Sequence, residues 1–196
     1  MLKRFATPDL APHLIDLFQE YPDHHDLKEL LLDLVRLGPI PDCADHALGF
    51  ALSDGEGDGN RIHAVRALGA VGDETHVKAL MELLSDEFIR QKPRLVGAIC
   101  EEGFPSVLGV DDLLMIAERS PKHVVRPVLG IGWFLWREVI EICPVKERPR
   151  LLRGLLDLVH REPHIAEYAE QEISVEYSWV AEAIYATRPR RSAPTT

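Results

Sequence analysis

Apolar residues recur along this chain at three- and four-residue intervals, the spacing of helices with one buried face, and seldom alternate with polar residues as a half-buried strand requires. The pattern is clearest over residues 61–86. Ala64, Ala67, Leu68 and Val71 share one helical face, and Val77, Leu80, Met81 and Leu84 share a second. Between them, Gly72 stands where a left-handed residue commonly ends a helix. Asp73 or Thr75 stands where an N-cap accepts from unpaired N–H groups. Two helices of about three turns each are marginal alone. They need like neighbours on both sides to bury their stripes.

One such neighbour lies upstream. Asp42 precedes Asp73 by 31 residues, and the same shift lays Leu34 on Val65, Leu37 on Leu68, Gly38 on Gly69, Phe50 on Met81 and Leu52 on Leu83. Both copies read as apolar helix, glycine-containing turn, acidic cap and second apolar helix, the second helices covering residues 42–52 and 73–85.

The pairs Leu68-Gly69 and Gly72-Asp73 and the ending Leu83-Leu84-Ser85-Asp86 resemble a HEAT-type repeat of the short, bilin-lyase-like variety. Residues 30–54 are similar to the helical-repeat regions of large bacterial STAND-type (NACHT-like) NTPases. The resemblance implies an all-α superhelix, a HEAT-like or armadillo-type solenoid of about ten helices. It also implies a non-catalytic scaffold that presents a surface to a protein, as a sensor or C-terminal piece working with a STAND-like ATPase. Enzymes similar to this fold include bilin lyases and alkyl-base DNA glycosylases, so an enzyme on a HEAT-like scaffold is the alternative.

The rest of the chain fits one domain over residues 1–187 with a polar, proline-containing tail at 188–196 expected to be disordered. A first helix is expected over 8–20, with Leu10, Leu14, Ile15 and Phe18 inward. Asp23 is placed to cap a second helix whose apolar residues are Leu27, Leu30, Leu31, Leu34 and Leu37. Residues 88–100 read as one helix and 111–118 as a short one. Residues 124–142 are apolar nearly all round and read as a central buried helix containing Trp133, Phe134 and Trp136. Leu151, Leu152, Leu155, Leu156 and Val159 make another stripe, and 165–187 a last helix.

Composition narrows the chemistry. A formal charge of −10 lacks the Lys/Arg excess that drives phosphate-backbone binding, so no nucleic-acid partner is expected. The N-terminal residues carry no long apolar core, and the longest apolar run, 128–136, is too short to span a bilayer. No membrane association and a cytoplasmic location are therefore expected. Cys43, Cys100 and Cys143 have neither disulfide-framework nor zinc spacing and read as buried free thiols.

Candidate chemical sites are thin. The acidic loop over 54–60 fails the EF-hand pattern, because its twelfth position is Val65, and reads as a flexible solvated connection. His160 and His164 have zinc spacing but Pro163 interrupts their helix. Glu101-Glu102 and Asp111-Asp112 read as surface charge, and no nucleophile elbow or Walker lysine is present. No catalytic residue, metal or cofactor is expected. The expected binding strip follows the outward positions of the second helices: His76, Lys78, Glu82 and Asp86 on one, Asp45 and His46 on the other. Acidic with interspersed histidines, it suits a basic peptide or protein segment. Oligomeric state stays open.

Overall fold

Short amphipathic segments punctuated by proline, glycine and Asx caps give eleven α-helices and no strand among the residues described by the computed structural model, 2–120 and 131–160. They are α1 (Ala11–Glu20), α2 (His25–Leu37), α3 (Ala44–Leu52), α4 (Asp58–Val71), α5 (Glu74–Met81), α6 (Asp86–Gln91), α7 (Pro93–Gly103), α8 (Val110–Arg119), α9 (Ile131–Arg137), α10 (Val139–Ile142) and α11 (Arg148–His160). The all-helical expectation holds for these residues. The expected helix over 165–187, the tail at 188–196 and the first part of the expected helix over 124–142 lie outside the described residues.

The repeat turn is built as its caps dictate, with one difference. Asp73 caps α5 by accepting from the Thr75 and His76 N–H groups at 2.9 and 3.1 Å, and His76 Nδ1 accepts from the Asp73 N–H at 3.2 Å. Gly72 is extended rather than left-handed, at φ −74° and ψ 160°. Glycine is needed there for space, since a Cβ would sit 2.7 Å from the Leu68 carbonyl oxygen. Gly38, which ends α2, likewise presses on the backbone of Ala6, with a Cβ 2.7 Å from its carbonyl. The helix-ending glycines are therefore Gly38 and Gly72, so the 31-residue shift that lays Gly38 on Gly69 matches the second helices better than the first.

Other boundaries move for local reasons. His24, not Asp23, caps α2, its Nδ1 accepting from the Leu27 N–H at 3.2 Å. The expected helix over 88–100 is two helices, α6 and α7, broken at Lys92, because Pro93 holds the preceding residue out of the helical region. The second helix of the repeat stops at Met81, and Ser85 starts α6 by accepting from the Phe88 N–H. Residues 58–60, read as loop, form the first turn of α4. The described part of the expected central helix is two pieces, α9 and α10.

Packing sets α2, α4, α7 and α9 side by side in one row, while α3 packs on α5, α6 on α8, and α8 on α11. Helix α4 is held by α2, α3 and α7, with Ile62, Ala64, Val65, Ala67 and Leu68 buried around its circumference. Alanines at 64 and 67 let neighbouring helices approach closely. The interior falls into two apolar clusters joined at α7. Leu95, Ala98 and Ile99 of α7 face the first, and Val96 and Cys100 face the second. Phe134 packs in the second cluster, edge-on to Phe104 at 6.2 Å between ring centroids. All three cysteines are free and buried, and burial pushes the Cys100 thiol far up, making it a poor nucleophile. No helix among the described residues is long and apolar enough to cross a membrane.

These positions predict a contrast in stability. Leu68→Ala, at a side chain with no exposed area, should cost about 2–5 kcal/mol in urea denaturation. Leu30→Ala should shift stability by only about 0.5 kcal/mol, because Leu30 is 43% exposed despite its place in the α2 apolar run.

Candidate functional site

The residues of the expected strip are only partly gathered. Asp45 of α3 and His76 of α5 meet, with His76 Nε2 3.3 Å from Asp45 Oδ1 and His76 Nδ1 2.7 Å from Asp73 Oδ1. Burial works against protonation of His76, but the two carboxylates outweigh it and hold its pKa above the ordinary value. Asp73 is held low, first by the His76 N–H and then by the His76 ring. The other members diverge. His46 stacks on Phe18 with its Nδ1 buried and unpartnered among the described residues. Lys78 pairs with Glu74 at 2.6 Å, Glu82 sits at the end of α5, and Asp86 is engaged by Arg119 of α8 at 2.6 Å.

The acidic loop before α4 is pinned rather than loose. Asp54 receives Arg61 Nη1 at 3.1 Å, Glu56 receives Lys28 Nζ of α2, and Asp58 receives Lys92 Nζ at 2.8 Å. Lys28 and Arg61 are almost wholly buried, each against an aromatic ring: Lys28 over Phe50 and Arg61 over Phe88. Arg61 Nε donates to the Ala51 carbonyl at 2.9 Å. Asn60 Nδ2 donates to Glu56 at 2.9 Å and lies 3.0 Å from His25 Nδ1. Burial pushes the Glu56 carboxyl up, but hydrogen bonds from Lys28 and Asn60 outweigh it, and its pKa is lowered. A lowered folded pKa stabilises above the unfolded value and is lost as pH falls through the folded one. With every acid of the loop facing a cation, this region is structural.

A different arrangement appears on the outer face of α2, α4 and α7. Glu29, Asp33 and Arg36 follow helical spacing on α2, and His63 and Arg66 do so on α4. His63 Nδ1 lies 3.1 Å from Asp33, with its Nε2 3.9 Å from Glu29. Arg36 reaches Asp33 at 3.7 Å, and Arg66 reaches Glu101 of α7 at 3.5 Å. These side chains are between a fifth and two-fifths exposed, so they form a ribbon open to a partner.

Glu102 of α7 lies within this ribbon. A Cβ on Gly69 would fall 1.7 Å from Glu102 Oε2, so the carboxyl lies in the space that α4 leaves by carrying glycine there. Burial raises its pKa most, followed by the Glu101 charge. Arg66 and Arg36 oppose the rise, Glu138 adds to it, and the result is about 7. The sequence pair Glu101-Glu102, read as ordinary surface charge, therefore splits into one carboxylate bridged to Arg66 and one desolvated in a notch. Nothing in the local sequence marks Glu102, because its burial comes from α4. The legible signal is the 30-residue recurrence of Asp33 and Arg36 as His63 and Arg66.

Among the described residues, no three His, Cys, Asp or Glu side chains converge as metal ligands. Comparison with protein-family models, curated proteins and solved structures finds no match. The functional reading therefore rests on these side chains.

Two outcomes follow. Glu56→Leu strands the buried Lys28 and should cost roughly 3–5 kcal/mol in urea denaturation, and adding Lys28→Met should recover much of that loss. A raised carboxyl pKa supports the fold below its unfolded value, and that support disappears as pH rises through about 7. Glu102→Gln should therefore raise the thermal midpoint at about pH 8 and leave it nearly unchanged at about pH 5, read by circular-dichroism melts.

Proposed function

We propose that this chain is a non-catalytic protein-interaction module, a HEAT-like α-solenoid that docks a basic segment of a protein partner and acts as a sensor or accessory piece beside a STAND-like ATPase. The solenoid reading is supported by the row of α2, α4, α7 and α9. Helices α2, α4 and α7 begin at residues 25, 58 and 93, intervals of 33 and 35 that fall among solenoid repeat periods. The ATPase setting is supported by the resemblance carried by residues 30–54 alone.

The observation that carries the binding reading is the charged ribbon on α2, α4 and α7. It is partly exposed, its ion pairs bridge neighbouring helices, and its acids outnumber its guanidiniums. A partner laid across these helices gains contacts from each without opening the core. The acidic balance of the chain, −10, has the sign that attracts a basic segment and repels a phosphate backbone.

The test begins with the full chain as bait and identification of the captured protein by mass spectrometry. Glu29→Lys and Asp33→Lys together should weaken binding of that purified partner by about tenfold or more, with the helical spectrum unchanged. Asp45→Lys and Glu82→Lys, on the α3–α5 strip, should have a smaller effect. The reverse order would move the docking surface to the strip of Asp45, His46, His76, Lys78, Glu82 and Asp86. Equal losses would reduce the interaction to non-specific attraction.

A further inference from the structure

We propose that Glu102 anchors the docking surface: its carboxylate, laid over Gly69 between α4 and α7, receives the ammonium group of one lysine from the protein partner. This rests on the interaction reading above and names the group that would be read.

The geometry comes first. The end of the Glu102 side chain passes across Gly69, with Oε2, Cδ and Cγ at 1.7, 2.3 and 2.8 Å from where a Cβ would be. Any other residue at 69 would drive the carboxyl out of the notch. The charged groups facing it come from every neighbouring element: Arg66 on α4, Arg36 on α2, Glu138 at the start of α10, and Glu101 beside it on α7. Both guanidiniums already have carboxylate partners, Arg66 in Glu101 and Arg36 in Asp33. Glu102 is the acid of the ribbon with no ion pair of its own among the described residues.

Among the described residues the notch therefore holds no cation paired to Glu102 alone. An ammonium group suits it better than a guanidinium, because it is compact and needs no planar fork. The raised pKa fits the same picture. In the free protein the carboxyl binds its proton up to about pH 7, and an arriving lysine would hold it ionised and release that proton. A desolvated acid that weakens the fold at neutral pH is understandable at a binding site and has no role in packing.

The test uses the full chain and a fluorescein-labelled, end-capped hexalysine peptide, read by fluorescence anisotropy at low salt. Wild-type affinity should fall roughly tenfold between about pH 8 and about pH 6. Glu102→Gln should bind about tenfold more weakly at the higher pH and lose most of the pH dependence. Gly69→Ala retains every charge but displaces the carboxyl, and it should weaken binding to a similar degree. Alanine at a helix interior favours folding, so this variant remains informative if Glu102→Gln folds poorly. Asp9→Asn, which removes a charge outside the ribbon, should stay within about twofold of wild type. Wild-type affinity in both the Glu102→Gln and Gly69→Ala proteins would overturn the anchor. If Glu29→Gln and Asp33→Asn then weakened binding, the docking face would stand without it. If neither exceeded Asp9→Asn, both the anchor and the docking face would fall.

Discussion

The structure depends on the enclosure of α4. A helix held by three others must be apolar around most of its circumference, and Ile62, Ala64, Val65, Ala67 and Leu68 meet that demand. The first turn cannot meet it, because Asn60 and Arg61 are polar and equally buried. Partners converge on that turn, the Ala51 carbonyl and Asp54 for Arg61, Glu56 for Asn60, and the Phe88 ring beneath the guanidinium, although Arg61 Nη2 and Asn60 Oδ1 stay without a hydrogen-bond partner among the described residues. A buried charge with one partner removed is far costlier than one never introduced. The connection between α3 and α4 is thus fixed by electrostatics in the same place where the core is fixed by packing. One end of α4 specifies the register of the row, and the rest of the helix supplies its cohesion.

How much of this was legible depends on whether a residue's environment is local. Leu68 and Leu80 were readable as core from spacing alone, and the α5 cap was narrowed to Asp73 or Thr75, because each depends on residues within one or two turns. The centrality of α4 was not. A helix buried on several sides has no strong apolar stripe, whereas residues 124–142 looked more central because they are continuously apolar. Nothing in the local sequence marks Lys28 and Arg61 as buried, since Phe50, Glu56 and Phe88 reach them only through folding. The acidic loop was read as solvated because its counter-ions lie on α2, on α4 and before α7. Pro93 accounts for the break at Lys92, but residues 88–100 were read as one helix.

The candidate surface shows the same division. Asp45 and His76 were placed together by the repeat and do meet, while Asp86 faces Arg119 because the helix expected to carry it had already ended at Met81. Glu102 depended on a glycine 33 positions earlier in the chain, a relation that only tertiary structure creates.

The two acidic regions therefore have opposite consequences. Around Asp54, Glu56 and Asp58 each negative charge is matched by a cation of the same chain. On the α2–α4–α7 face the arginines are already shared with Asp33 and Glu101, and Glu102 sits half-buried with no ion pair of its own among the described residues. Formal charge counts both regions alike, but among the described residues their acids are paired differently. For an interaction module the relevant quantity is thus not the net −10 but where pairing within the fold leaves charge uncompensated. The row of helices makes this possible: adjacent helices can neutralise one another along a face, as Arg66 of α4 does with Glu101 of α7 and His63 of α4 with Asp33 of α2.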